Sequence, residues 1–484
     1  MDLLQRIERR ATDAADAIAH ISGNRSITYG ELLERSSALA CQVESNLGDD
    51  RTPIAVLGHR EPEMLIAFLG IVKSGRSYIP LDTALPKQRV QKVLSAAGVR
   101  LCLTPADVVS LARSKIHRSL REISADDPFY IIFTSGSTGE PKGVVISHAC
   151  LSHFVFWMLS EQQFDPQEVF LNQAPFSFDL SVMDMYCSLA SAGTLFSVSR
   201  DLVADPKALY RALAQSGVTT WVSTPSFVQM CLVERTFDER MLPRLKRFLF
   251  CGETLPLGVA SELLERFPNA QVWNTYGPTE ATVATTSVAI SSDLLRRYPA
   301  LPVGRPMKGT EVFVVDETGG SVPEGETGEI IIAGPNVGLG YLNRPDLTSG
   351  VFFEHRGGRA YRTGDRGRVR DNLLFFEGRV DDQVKLNGYR IELGDLEYNF
   401  RQIPLVRDVA VVPLVKNGVT RALTAFVVTA TPSPESEIEL AATLRTLLAE
   451  RVPRYMLPRR LVFVDALPLT PNGKVDRIKL SALL

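Results

Sequence analysis

The sequence predicts an α/β protein built from a large, multi-layer N-terminal domain and a small α+β C-terminal domain. Three observations carry this expectation. The chain has 484 residues, enough for one large domain and one smaller one. Over the first ~370 residues short β-branched runs alternate with helical patterns, as layered sheet-and-helix architectures require. Beyond residue 377 the texture changes to a polar stretch, a hairpin signal and longer alternating runs.

Taken in order, Met1-Asp2-Leu3-Leu4-Gln5-Arg6 starts an amphipathic helical pattern, and Pro53-Ile54-Ala55-Val56-Leu57 reads as a buried strand. A helix is expected over Glu63–Lys73, broken by Ser74-Gly75, with a short strand at Tyr78-Ile79-Pro80-Leu81. Tyr130-Ile131-Ile132-Phe133 reads as a further buried strand. The domain boundary is placed near Asp381, giving a core over 1–377, a connecting segment over 378–382 and a second domain over 383–484. Within that second domain Val384-Lys385-Leu386 runs into a turn at Asn387-Gly388. Val409-Ala410-Val411-Val412 and Ala425-Phe426-Val427-Val428 alternate as strands. Residues 431–437 read as a polar surface loop, and Glu439–Arg451 as a helix.

Composition narrows the function. Lys plus Arg number 53 against 55 Asp plus Glu, so no global field selects nucleic acid or an anionic membrane. No apolar run approaches the ~20 residues of a membrane span, and the acidic start is unlike a secretory signal. A cytoplasmic protein with no membrane insertion is expected. The six cysteines are scattered without a C-x-x-C pair, which argues against a disulfide framework and a zinc site.

The most informative segment is Thr134-Ser135-Gly136-Ser137-Thr138-Gly139-Glu140-Pro141-Lys142-Gly143. It holds three glycines, four hydroxyls and one lysine directly after a strand. Glycines let backbone N–H groups crowd an anion, hydroxyls add donors and lysine adds charge. Pro141 sits where a Walker A loop needs glycine, so this is a different phosphate loop. Composition alone leaves a solvated Ser/Gly turn equally open; the apolar Val144-Val145-Ile146 that follows favours a structured loop.

That decamer resembles the phosphate loop of the adenylate-forming superfamily, which includes acyl-CoA synthetases, luciferases and nonribosomal peptide adenylation domains. Further segments resemble that family's motifs in the same order. They are Lys73-Ser74-Gly75-Arg76-Ser77-Tyr78-Ile79-Pro80-Leu81-Asp82, Asn274-Thr275-Tyr276-Gly277-Pro278-Thr279-Glu280, Tyr361-Arg362-Thr363-Gly364-Asp365, Gly378-Arg379-Val380-Asp381 and Pro471-Asn472-Gly473-Lys474-Val475-Asp476-Arg477. The similarity spans essentially the whole chain. One departure is Leu339-Gly340-Tyr341, where members often carry Arg-Gly-Tyr.

The resemblance implies roles. Thr134, Ser135, Gly136, Ser137, Thr138, Gly139 and Lys142 would hold the β- and γ-phosphates of ATP. Gly252, Glu253, Asn274, Thr275, Tyr276 and Gly277 would belong to the same nucleotide site, Asn274 and Tyr276 bordering the adenine. Thr279 would bond the α-phosphate and Glu280 would help hold Mg²⁺. Asp365 would accept the ribose hydroxyls, with Arg379 in support. Lys474 would enter the site on a mobile C-terminal lid, with Asp381 as the hinge, and neutralise charge as the adenylate forms.

Asp179 would pair with a substrate ammonium, marking an α-amino acid. Leu180, Met183, Leu249, Cys251, Thr275, Val283 and Ala284 would line an apolar pocket for a small side chain. Cys251 favours D-alanine, with L-proline as the rival, although a free cysteine is also commonly a plain core residue. No carrier-type serine domain is legible, so the acyl acceptor is expected to be a separate phosphopantetheinyl carrier protein. An acyl-CoA synthetase and a silent ATP or amino-acid binding module are the alternatives.

Overall fold

A computed structural model describes residues 2–113, 122–136, 139–381, 383–416, 419–430, 436–469 and 475–484. The chain divides into two compact units. The first holds residues 1–82, 97–132 and 143–380; the second holds 83–96, 133–142 and 381–484.

Within the first unit the local signals become elements close to their expected bounds. The opening helix is Leu3–Asp13, started by a reciprocal cap in which Asp2 and Gln5 each bond the other's backbone N–H. The buried strand is Ile54–Gly58, and Pro62–Lys73 follows with Pro62 at its first turn, where a missing N–H costs nothing. All twelve residues of that helix are buried, because it has apolar neighbours on every side and no solvent face. Gly75, at φ 73°, ends it in a conformation that glycine adopts without penalty. The strand Tyr78–Asp82 comes next.

The strands of this unit build a nine-stranded sheet with a parallel centre. Its spatial order is Arg305–Pro306, Thr286–Ile290, Gln271–Tyr276, Arg247–Phe250, Thr220–Ser223, Val169–Asn172, Thr194–Ser197, Ile18–Ser22, Arg25–Thr28. A second sheet is centred on Pro128–Thr134, Tyr78–Asp82 and Ile54–Gly58. An antiparallel five-stranded sheet uses Glu311–Val315, Gly328–Ala333, Gly358–Arg370, Phe352–His355 and Leu373–Arg379. The helix Leu180–Ser191 is buried along its whole length, in the same apolar cluster as Pro62–Lys73.

A second cluster closes around Trp221, which is fully buried against Phe227, Phe237 and Phe248. Its indole N–H donates to Ser223 Oγ at 2.8 Å, so the buried donor is satisfied. Trp221→Ala is expected to cost about 3–5 kcal/mol. A thermal unfolding midpoint left unchanged would contradict that packing role.

The second unit carries its own core, with Leu396, Phe400, Val409, Val411, Ala425, Val427 and Leu444 at its centre. Gln383–Leu386 and Tyr389–Glu392 form the expected hairpin. Asn387 and Gly388 both adopt positive φ, 51° and 81°, as a tight two-residue turn demands. Val406–Lys416, Val419–Thr429 and Arg460–Phe463 make a three-stranded sheet, and the expected helix is Glu437–Ala449. The polar loop expected at 431–437 lies outside the described residues over 431–435. Among the described residues no helix is long and apolar enough to cross a membrane. None of the six cysteines is in a disulfide; five are buried and Cys102 is half-buried.

Candidate functional site

Four neighbouring parallel strands of the large sheet end on one edge. The pairings Val222↔Asn172, Ser223↔Phe250 and Phe250↔Asn274 align their C-terminal ends. Ligands of open α/β sheets bind outside such ends, where backbone groups leave the ladder and loops fan out. The segments that follow carry Asp179, Thr224, Cys251-Gly252-Glu253 and Gly277–Glu280 respectively. Residues as far apart as 179 and 280 therefore meet at one edge.

The residues expected from the sequence to line a pocket are all buried. Leu180, Met183, Leu249, Cys251, Val283 and Ala284 all belong to one buried apolar cluster. Thr275 is buried too, and its hydroxyl donates to the Phe250 carbonyl at 2.8 Å, which spends its proton on the backbone. Thr282 and Val283 hold left-handed φ of 57° and 68°. β-Branched residues rarely adopt that region, at a cost of about 1–3 kcal/mol each. The turn is held by Thr282 Oγ1 donating to Asn336 O at 2.7 Å, and it buries Val283 in the same apolar cluster. Gly277 stands beside it because a Cβ there would lie 2.6 Å from Ala284 Cα.

Asp179 precedes the helix Leu180–Ser191 yet makes no side-chain capping bond to it. An aspartate in this position usually caps the helix, worth about 1 kcal/mol. Its Oδ2 accepts instead from Thr279 Oγ1 at 2.6 Å.

Among the residues expected to hold the nucleotide, Tyr276 donates its phenol to Asp365 Oδ2 at 2.6 Å, while Arg379 pairs with Asp365 Oδ1 at 2.5 Å. Burial and the neighbouring carboxylate push the Tyr276 phenol well above its ordinary range, keeping it a donor. Each carboxylate oxygen has a second lone pair, so Asp365 retains acceptor capacity beyond these two bonds. Asn274, on the same strand face as Tyr276, donates its amide to the Pro302 carbonyl at 2.8 Å. That carbonyl can only accept, which fixes the amide's orientation. Asn274 Oδ1 is left buried with no hydrogen-bond partner among the described residues. A buried orphan acceptor is costly unless a ligand donor satisfies it, and an adenine amino group is such a donor.

Glu280 is fully buried, and one of its oxygens accepts from the Tyr341 phenol at 2.8 Å. Among the described residues no group of three or more His, Cys, Asp and Glu could hold a metal. A single carboxylate fits Mg²⁺ when phosphate oxygens supply other positions. Tyr341 went unread as a site residue, because nothing in Leu339-Gly340-Tyr341 announces a contact 61 residues away. Leu339 donates its backbone N–H to Val145 O at 2.9 Å.

Glu253 accepts from the Ser226 backbone N–H at 2.9 Å, tying two of the edge loops together. Below the edge lies a buried polar network that the sequence did not disclose. Arg60 donates to the Asn172 carbonyl at 2.5 Å and to Asn172 Oδ1 at 2.9 Å, and also bonds the Gln173 carbonyl. The Asn172 amide in turn bonds Ala174 O and Asp184 Oδ1, both at 3.1 Å. These bonds clamp the segment leading to Asp179. Ser197 Oγ donates to Asn172 Oδ1, so His20 Nε2 must donate to Ser197. Burial, with Arg60 and Arg25 nearby, pushes the His20 pKa down to about 3, consistent with a neutral ring.

Thr134, Ser135, Gly136, Gly139 and Lys142 fall in the second unit. Ser135 Oγ donates to Arg390 O and accepts from Glu392 N, both at 3.1 Å. Lys142 Nζ lies 3.5 Å from Glu392 Oε1, whose carboxyl is pushed up by burial. Thr134 Oγ1 is buried with no hydrogen-bond partner among the described residues. Asp381 opens the last segment of this unit and accepts from Gln383 N at 3.2 Å. Ser137, Thr138 and Lys474 lie outside the described residues.

A sheet edge carrying Asp179, with the orphan acceptor of Asn274 and the Asp365 carboxylate nearby in the same unit, fits a nucleotide-using enzyme that handles a small acid. The chain belongs to the AMP-binding enzyme family, whose model matches residues 7–342, with the AMP-binding enzyme C-terminal domain over 395–474. It is 46% identical over 498 aligned residues to the D-alanine--D-alanyl carrier protein ligase of Bacillus mycoides (strain KBAB4), with 99% of each chain covered. Its identity to the ligase of the same name from Bacillus anthracis is 45%, again over 99% of each. Among solved structures it resembles the Vibrio cholerae adenylation domain AlmE in complex with glycyl-adenosine-5'-phosphate. There the TM-score is 0.85 at 24% identity, over 99% of this chain and 97% of that one, a likeness of fold. PA1221, an NRPS protein containing adenylation and PCP domains, gives 0.84 at 28% identity, over 100% of this chain and 84% of that one.

Proposed function

We propose that this chain activates D-alanine with ATP and passes it to the phosphopantetheine thiol of a separate carrier protein. The observation that carries the reading is the Asp179 carboxylate, which heads a helix whose Leu180 and Met183 belong to a buried apolar cluster and lies within hydrogen-bond reach of Thr279. The full-length likeness to D-alanine carrier ligases supports the substrate and the acceptor.

In the first half-reaction a substrate carboxylate oxygen attacks the α-phosphorus of ATP. The bond to the β-phosphate breaks, and pyrophosphate leaves. In the second, the carrier thiol attacks the acyl carbon, the thiol proton is lost and AMP departs. Asp179 holds the ammonium, and the pocket lined by Met183, Leu249, Cys251 and Val283 admits a methyl group while offering no second charge. Thr279 donates to the α-phosphate, and Asn274 and Asp365 take the adenine amine and the ribose hydroxyls. Glu280, oriented by Tyr341, would hold Mg²⁺, which when bound neutralises phosphate charge. Thr134, Ser135, Gly136, Ser137, Thr138, Gly139 and Lys142 hold the outer phosphates. Lys474 stabilises the developing charge between carboxylate and α-phosphate, and rotation about Asp381 withdraws it before thiol transfer. A cytoplasmic location follows from the ATP requirement.

ATP–pyrophosphate exchange with Mg²⁺ tests this across D-alanine, L-alanine, glycine, L-serine and L-proline. D-Alanine is expected to give the strongest exchange. A maximum at L-proline would keep the chemistry and replace the substrate, because such pockets separate neighbours of similar size only weakly. No exchange with any of them would refute the reading. Asp179→Ala is expected to raise the amino-acid KM by about 10²-fold, since a charge-assisted pair worth ~1.5–3 kcal/mol is lost. An unchanged KM would remove Asp179 from the ammonium site.

A further inference from the structure

The buried polar network below the sheet edge contains a bridge that takes no part in either half-reaction. Asn172 ends the strand Val169–Asn172, Asp184 lies on the helix Leu180–Ser191, and both are fully buried. The Asn172 amide nitrogen donates to Asp184 Oδ1 and to Ala174 O, each at 3.1 Å. Its amide oxygen accepts from Arg60 at 2.9 Å and from Ser197 Oγ at 2.8 Å. A guanidinium only donates, so the amide cannot turn over, and its two N–H groups are committed to Ala174 and Asp184. Between the bridged residues runs the segment that carries Asp179. Within it Phe178 N donates to Pro175 O at 2.9 Å, and Ser181 Oγ donates to Phe178 O at 2.6 Å.

We infer that Asn172 and Asp184 are positioning residues for the amino-acid site, their bridge fixing where Asp179 meets the substrate; this rests on Asp179 being the ammonium partner. Strand end and helix are separate rigid elements, and the bridge joins them across 12 residues of sequence. The loop between them is tied at successive points. Arg60 bonds the Gln173 carbonyl, Asn172 bonds the Ala174 carbonyl, and Asp184 holds the helix that follows. Asp179 immediately precedes Leu180, so a slip of the helix start along the sheet edge carries its carboxylate with it. A displacement of about 1 Å in a binding group can cost about 10²-fold, so a partial loosening costs less. Asn274 and Asp365 stand on other strands, Gln271–Tyr276 and Gly358–Arg370, and are not tied by this bridge. Loosening it therefore weakens the amino acid and spares the nucleotide. Burial pushes the Asp184 carboxyl well above its ordinary range, yet Oδ1 remains an acceptor whether the group is protonated or not. The bridge thus needs an acceptor oxygen rather than a charge, and an asparagine supplies one.

The test is ATP–pyrophosphate exchange by the full chain, with separate KM values for ATP and for whichever amino acid exchanges best. Asp184→Leu, which keeps the bulk and removes the acceptor, is expected to raise the amino-acid KM about tenfold and leave the ATP KM within about twofold. Asp184→Asn, which restores an acceptor, should keep the amino-acid KM within about threefold of the parent. Simple destabilisation would lower the active fraction, and so kcat, without moving either KM. The inference is overturned by an unchanged amino-acid KM in Asp184→Leu, by an equal rise in both KM values, or by a tenfold rise in Asp184→Asn. If the leucine variant does not fold, Asp184→Ala removes the acceptor without adding bulk, and the Asp184→Asn result stands without either. Asp179→Ala in the same assay separates the two ideas. A parent-like KM there would remove the ammonium reading itself, whereas a raised KM beside a parent-like Asp184→Leu would sink the bridge alone.

Discussion

Asp365→Ala is expected to weaken ATP binding by on the order of 10²–10⁴-fold, the loss of two hydroxyl bonds to a charged acceptor at ~1.5–3 kcal/mol each. The same change would also strip Arg379 and the Tyr276 phenol of a buried partner. Loss of a buried ion-pair partner is destabilising, so Asp365→Ala should also lower the thermal midpoint. Asp365→Asn separates the two effects. Its amide oxygen can still accept from Tyr276, but its amide nitrogen cannot accept from a ribose hydroxyl. Nucleotide affinity should therefore fall by about tenfold or more in Asp365→Asn with a smaller loss of stability. A nucleotide Kd within twofold of the parent in both variants would exclude Asp365 from the ribose site.

Lys474→Ala is the second large effect. Removal of a preorganised charge from a developing anion typically costs about 10²–10³-fold in rate. ATP–pyrophosphate exchange should fall by that factor. Transfer from preformed aminoacyl-adenylate to the carrier protein should change by only a few-fold, because the lysine acts before the thiol arrives. Full exchange activity in Lys474→Ala would refute its role. An equal loss in both half-reactions would instead assign Lys474 to the integrity of its domain.

Much of the fold was legible because its signals are local. Strands such as Ile54–Gly58 and Tyr78–Asp82 are short apolar runs bounded by breakers, and Pro62–Lys73 begins on proline and ends before glycine. The Asn387-Gly388 turn follows from the positive φ that these residues tolerate. Candidate site residues were legible for a different reason. A Gly/Ser/Lys decamer or a carboxylate after Thr-Gly is ambiguous alone, and it was the ordered series of motifs resembling the adenylate-forming superfamily that singled these residues out. Their partners were not legible. Tyr341 is an ordinary aromatic in the sequence, and only its 2.8 Å bond to Glu280 makes it part of a site. Arg60 and Asn172 likewise look like surface polar residues, yet both are buried and hold the segment that carries Asp179.

By itself, then, the sequence determined the α/β architecture, its main strands, helices and turns, and the order of the motifs that resemble the adenylate-forming superfamily. These depend on neighbours within a few residues, through hydrophobic periodicity and turn chemistry. Only the tertiary structure decided which acceptor each donor meets. Thr279 and Asp179 are 100 residues apart, Tyr276 and Asp365 are 89 apart, and Arg60 and Asn172 are 112 apart. Those pairings follow from a strand order that is not the chain order, with Val169–Asn172 seated between Thr220–Ser223 and Thr194–Ser197. A hydrogen bond acts over about 3 Å, so its partner is set by which strand ends the packed core brings side by side.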